Sequence, residues 1–238
     1  MDIKIDKFKQ LFFDELDRVL LPLGFKYVKN KHGYILKNKD NWYFRFLVDC
    51  TKWSNSVSVQ TKISAINLIL KKTFNEICET NHEGLKIWGV YPTINNFLEQ
   101  ELLYKPEQSL YIYLEEDIQK VAKAWLTDFE NIGIPFMEKI TNDCNFALQL
   151  VVEGRGTILY DRYRYLPIMC KEAKMSNEEI EKLCTELEKD IDDINNSCPF
   201  SEEYKKKWIE EYYKVRDTIL ERISTNKASP LVNEKLKN

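Results

Sequence analysis

The apolar residues in the first quarter of the chain change period at Gly24. Phe8, Phe12, Leu16, Leu20 and Leu23 recur every three or four positions, which places them on one face of a helix. Beyond Phe25 the spacing becomes every second residue, most clearly at Trp42, Phe44, Phe46 and Val48, the period of a strand with one buried face. A helix and a set of strands that each carry a single apolar face bury both by packing together. The pattern therefore predicts an α+β fold in which an N-terminal helix covers an antiparallel meander sheet. It specifies a scaffold and no reaction.

The lead helix is predicted from about Asp6 to Leu21, with Gly24 supplying the left-handed residue past its end. Strands follow at Phe25–Lys29, Tyr34–Lys37, Trp42–Cys50 and Ser56–Ile63, the first two joined by a turn at His32-Gly33. Ile66–Cys78 returns to helical spacing, and Leu85–Tyr91 and Ser109–Leu114 read as further strands. Glu115-Glu116-Asp117 opens a helix with Ile118, Val121, Trp125 and Phe129 on one face, three acids suiting the positive end of its dipole. Gly133 is expected to end that helix and Pro135 to start the next.

After Gly154-Arg155-Gly156 the strand signals stop. Tyr160–Ala173 reads as a helix that Pro167 should bend or interrupt. Ser176-Asn177-Glu178-Glu179 is a capping box opening a helix with Ile180, Leu183, Leu187, Ile191 and Ile194 on one side. Ser201 caps a last helix carrying Tyr204, Trp208, Tyr212, Val215, Ile219 and Ile223, and residues from about Asn226 read as a frayed tail. The expected organisation is a sheet domain over 1–153 and a helical extension with a helical hairpin over 154–238, docked on it.

Three sequence features together carry a resemblance: Leu21-Pro22-Leu23-Gly24-Phe25 closing the first helix, Trp42-Tyr43-Phe44-Arg45-Phe46 as an aromatic strand, and Gly133-Ile134-Pro135-Phe136. Over about Lys7 to Val152 the chain resembles a family of small bacterial α+β domains of unknown function. The resemblance implies a helix-plus-meander fold and brings no active site to transfer.

Composition narrows the functional classes. A net charge of −3 provides no basic field for nucleic acid, so a nucleic-acid partner is not expected. No run approaches the ~20 apolar residues that span a bilayer, so no membrane association is expected. The six cysteines form no Cys-x-x-Cys pair and no apolar leader core precedes them, which reads as reduced thiols in a cytoplasmic protein. Cys170, Cys184 and Cys198 are equally spaced and read as small buried hydrophobes. His32 and His82 sit beside glycine-containing turns without a second ligand at metal spacing, so both read as exposed turn residues. No metal and no cofactor is expected.

Two constellations compete for a function. Asp49 ends one strand, Gln60-Thr61-Lys62 lies on the next, and Glu15 could approach from the first helix. This looks like a degenerate restriction-endonuclease-like core, in which carboxylates hold Mg²⁺ and a lysine polarises water, with an amide in place of the second carboxylate. Alternating Gln and Lys on a solvent face accounts for the same residues. Ser176–Asn195 carries eight acids against Lys182 and Lys189, and Glu178, Glu181, Glu188 and Asp192 could capture a basic protein partner. Tyr160-Asp161-Arg162-Tyr163-Arg164-Tyr165 could stack on bases, but with two cations it reads as packing. The expected function is a non-catalytic binding protein of the immunity or inhibitor kind. The alternatives are metal-dependent phosphodiester cleavage through Asp49, Gln60 and Lys62, and a small-ligand pocket lined by Trp42, Phe44 and Trp88.

Overall fold

The computed structural model describes residues 5–28, 33–38, 41–89, 110–155, 157, 159–197 and 199–227. They form two compact units, one of residues up to Leu68 with 86–146, the other of 69–85 with 147 onward. The expected turn at His32, the ends of two strands at Lys29 and Tyr91, and the tail beyond Lys227 lie outside the described residues.

The first unit is the expected α+β layer. Helix α1 (Ile5–Leu20) leads into strands β1 (Lys26–Val28), β2 (Gly33–Lys37), β3 (Trp42–Lys52) and β4 (Val57–Asn67), each antiparallel to the next. Strands β5 (Ile87–Gly89) and β6 (Leu110–Ile112) both pair with β4, at opposite ends of it, giving a six-stranded sheet. Gly24 adopts φ +89°, and its amide and that of Phe25 donate to the carbonyls of Leu21 and Leu20, closing the helix as its sequence demanded.

One sheet face is the core. Phe44, Phe46 and Val48 of β3 and Val59, Ile63 and Ala65 of β4 are buried, while Tyr43, Arg45, Leu47 and Asp49 alternate to the other face. Phe12, Leu16 and Leu20 of α1 are fully buried. The Tyr34 hydroxyl donates to Asp17 Oδ1 at 2.6 Å, and its ring lies 6.3 Å from Phe46, so α1 lies on the Phe46 side of the sheet. Gly33 is fixed by close approach: a Cβ there would stand 2.4 Å from the Phe46 carbonyl oxygen.

Two expectations fail in the helices of this unit. Helix α3 (Asp117–Asp128) begins two residues later than Glu115, and only Asp117 stands in its first turn. The Asp117 carboxylate accepts from the amides of Tyr113 and Leu114, at 3.1 and 2.9 Å. Gly133 does not stop the helix. Its φ is −65°, and a π-turn over Phe129–Gly133 carries α3 into α4 (Ile134–Asn142). Pro135 has no N–H to donate to the preceding turn, and the wider turn accommodates that loss. Asn131 Nδ2 meanwhile donates to the Thr127 carbonyl at 2.8 Å. The continuity brings Phe129 within 5.5 Å of Phe46 and 5.7 Å of Phe25, ring to ring.

The second unit is helical. Helix α2 (Leu68–Cys78) starts in the sheet unit and supplies Leu70, Phe74 and Ile77 to this one. With it are α5 (Cys144–Val152), α6 (Leu159–Glu172), α7 (Asn177–Glu188), α8 (Ile191–Ser197) and α9 (Glu202–Lys227). Pro167 stands inside α6 without interrupting it, in a run from Tyr163 to Cys170 that is buried throughout. The Ser176–Glu179 capping box forms as expected at the start of α7. The expected single helix through Ile194 breaks at Lys189-Asp190. Helix α8 starts anew there, the Asp190 carbonyl accepting from Ile194 N. Ile180, Cys184, Leu187 and Ile191 stay buried across the break. Trp208, Tyr212, Val215 and Ile219 of α9 are fully buried, with Tyr160 and Tyr163 of α6 at ring distances of 5.2 and 5.6 Å from Trp208. The Tyr/Arg segment of α6 is therefore interior packing.

Candidate functional site

In the sheet unit the β3–β4 register sets Asp49 directly opposite Gln60, and Lys62 opposite Leu47. All are on the face turned away from Phe46. Lys62 Nζ stands 2.7 Å from Asp49 Oδ2, with both side chains substantially exposed. Glu15 does not join them. It lies on α1, on the core-side face of the sheet, where its carboxylate meets Arg18 at 2.9 Å and Gln119 Nε2 at 3.3 Å. The strict alternation of a strand makes the two faces exclusive, so an α1 carboxylate cannot complete a set with Asp49. Among the described residues no group of three or more His, Cys, Asp or Glu is placed to hold a metal ion. What the sequence presented as a four-residue constellation is a carboxylate, an amide and an amine on two adjacent strands. Trp42 and Phe44, expected to line a pocket, are buried core residues stacked at 6.3 Å, and the Trp88 side chain lies outside the described residues.

In the helical unit, Glu178 and Glu181 are exposed on α7 and Asp192 is exposed on α8. Glu188 behaves differently. Its Oε1 accepts from Tyr212 at 2.7 Å and from Arg216 Nη1 at 2.6 Å, so it ties α7 to α9. Burial, with Cys184 and Glu188 beside it, pushes the Tyr212 phenol far up, and the hydroxyl stays a donor. Three of the four expected partner-facing acids thus remain at the surface, and the fourth is structural.

The densest polar cluster was not anticipated. Arg164, only 4% exposed, has Nη1 3.2 Å from Asp161 Oδ1 and Nη2 2.7 Å from Glu211 Oε2. It also donates to the Tyr204 hydroxyl at 3.3 Å. Burial opposes its charge, but Tyr204, Glu211 and Asp161 more than offset that, holding the guanidinium above its ordinary range. His82 completes the group. Its Nε2 lies 3.4 Å from Asp161 Oδ1, and its Nδ1 lies 2.9 Å from the Tyr165 hydroxyl and accepts from Gly84 N at 3.2 Å. The expectation of an exposed turn histidine is corrected for His82; His32 lies outside the described residues. Asn75 holds the turn, its side chain accepting from His82 N and donating to its carbonyl.

A carboxylate on one imidazole nitrogen and a hydroxyl on the other is also the layout of an acid–base relay. Here Tyr165 is fully buried, and burial with Asp161 beside it pushes the phenol far up, so the hydroxyl has no route to a substrate. Cys78, nearby in α2, is likewise held as a thiol, pushed up to about 11 by burial and by Glu211. The cluster is a buried ionic tie among α6, α9 and the turn after α2. Its one sequence signal was the Asp161-x-x-Arg164 spacing, which sets the two on one helix face.

Comparison with protein families, characterised proteins and solved structures gives no match for this chain. Among the described residues no helix is long and apolar enough to cross a membrane.

Proposed function

We propose that this chain is a non-catalytic binding protein that captures a basic protein partner through α7 and α8, in the manner of an immunity or inhibitor protein. The observation that carries the reading is how the acids of the helical unit divide. On α9, Glu202, Glu210, Glu211 and Asp217 are matched within the helix by Lys205, Lys206, Lys207 and Arg216. On α7 and α8, Glu178, Glu181 and Asp192 are exposed, and no ion pair involves them among the described residues. A rigid run of unneutralised carboxylates gives fast, salt-sensitive capture of a cationic surface. The α7 face is anchored from behind by Glu188, so its acids are displayed on a fixed helix and not on a loop.

The test is co-purification of the tagged full chain with proteins encoded beside its gene, at low and high salt. A basic partner should be retained at low salt and lost with Glu178→Lys, Glu181→Lys and Asp192→Lys combined. Retention unchanged by the triple reversal refutes the assignment of this surface. A second reading, metal-dependent phosphodiester cleavage, draws on the contact between Asp49 and Lys62 and on Gln60 opposite. Incubation with DNA and RNA and Mg²⁺ or Mn²⁺ tests it, and Asp49→Ala must abolish any cleavage for the reading to stand.

A further inference from the structure

At the β6 end of the sheet, the face turned away from the core carries three exposed aromatic side chains. Trp53 is 57% exposed, Tyr111 47% and Tyr113 57%. Ser58 sets the first two beside each other. Its hydroxyl oxygen accepts from Trp53 Nε1 at 3.2 Å, and by register it stands directly across from Tyr111. Ile112, next to Tyr111 on β6, is fully buried, so alternation turns Tyr111 away from the core. The Tyr113 ring lies 6.4 Å from that of Tyr111, inclined at 29°.

The backbone beneath these rings is fixed. The Trp53 amide donates to the Ser56 carbonyl at 2.8 Å, and the Tyr113 amide to Asp117 Oδ2 at 3.1 Å. A surface already ordered loses little conformational freedom when it captures a ligand. Its polar neighbours are hydrogen-bonding groups without charge: Thr51 pairs with Ser58 across β3 and β4, and Gln60 follows Ser58 on the same face. Among the described residues no hydrogen bond engages the hydroxyl of Tyr111 or of Tyr113.

Area and charge select the occupant. Three aromatic side chains about half exposed offer roughly 350 Å², well short of the ~800 Å² that each side of a stable protein complex buries. The charged residues flanking them in the chain are one cation, Lys52, against two acids, Glu115 and Glu116, so a phosphate backbone meets no cationic field. An uncharged sugar fits both conditions. Each sugar ring has an apolar C–H face to lie on an aromatic ring, and a rim of hydroxyls to meet phenol, threonine and amide groups.

We infer that Trp53, Tyr111 and Tyr113 form a binding platform for an uncharged oligosaccharide on the open face of the sheet unit. Successive sugar rings lie on the aromatic rings, and their hydroxyls exchange hydrogen bonds with the two phenols, Thr51 and Gln60. The platform is independent of the acidic surface on α7 and α8.

The experiment is calorimetric titration of the full chain with cellohexaose, chitohexaose and maltohexaose, each up to about 10 mM, enough to saturate a site with a dissociation constant of ~1 mM. At least one sugar should bind saturably. Trp53→Ala and Tyr111→Ala should each weaken that binding roughly tenfold, the order for truncating an aromatic anchor. All three positions are at the surface, and circular dichroism checks that each variant folds. If one does not, Tyr113→Ala takes its place with the same expected loss. The inference is overturned if no sugar binds, if the ring variants bind as tightly as the wild type, or if an eight-residue oligouridylate binds more tightly than every sugar.

Discussion

Replacing Arg164 by methionine keeps an unbranched stem of similar shape and removes one charge from the helical unit. The loss is large because of what remains. Asp161 and Glu211, 9% and 13% exposed, currently face the guanidinium at 3.2 and 2.7 Å. Without it, two carboxylates share a water-poor space, with only the exposed Lys207, 4.0 Å from Glu211, left as a cationic partner. Removing one member of a buried ionic group costs about 3–5 kcal/mol, because the partners stay desolvated. For a chain of this size that lowers the urea midpoint by roughly 1–2 M at neutral pH. The control removes the charges together: Arg164→Met with Asp161→Asn and Glu211→Gln. A fully neutral cluster has no unpaired charge, and the amide introduced at position 161 can still accept from His82 through its carbonyl oxygen. This triple variant should recover most of the lost stability. Urea unfolding followed by circular dichroism gives both numbers. If the single variant loses less than about 1 kcal/mol, or the triple variant is no more stable than the single, the cluster is not the ionic tie described above.

Gly33→Ala should destabilise the sheet unit by about 1–3 kcal/mol, since the new methyl meets the Phe46 carbonyl oxygen at 2.4 Å; thermal unfolding checks it, and an unchanged melting temperature removes the close-approach explanation. Ser176→Ala should cost about 1 kcal/mol by opening the capping box at α7. The same box has a pH signature. Hydrogen bonds from the Ser176 backbone and hydroxyl hold Glu179 below its ordinary 4.5, so the stabilisation is present above that value and is lost as pH falls through the lower folded value. A carboxyl titration by NMR should show Glu179 protonating below ordinary glutamates, and moving up toward them in Ser176→Ala, which loses the hydroxyl donor and keeps the backbone one. Alkylation of the native protein at pH 8 should modify the exposed Cys144 before the buried thiols. Cys170 and Cys184, buried and pushed up to about 12 and about 11, should react only on unfolding, and mass spectrometry reads the order.

Much of the scaffold could be read from spacing because its causes are local. The switch of period at Gly24, the alternation through Trp42–Val48, and the Ser176 and Ser201 caps each depend on residues a few positions apart, and each is realised. The helix signals misread were those whose local meaning a neighbour overrides. Gly133 and Pro135 read as a break, yet a π-turn absorbs the missing amide while Phe129 packs on Phe46. Ile180 to Ile194 read as one helix, yet a new one starts after Asp190 while Ile180, Cys184, Leu187 and Ile191 all stay buried.

The chain alone determined most of the residues that turn inward along each element, with Leu23 of the lead-helix face an exception at 48% exposed, because amphipathic period is a property of consecutive positions and water rejects the same side chains wherever the element lies. Tertiary structure decided which polar groups meet. It put Glu15 on the side of the sheet away from Asp49, drew Glu188 to Arg216 and Tyr212, and brought His82 from after α2 to Asp161 of α6. Those partners are far apart in sequence, and a hydrogen bond or ion pair needs both ends within about 3 Å, a condition that no spacing along the chain encodes.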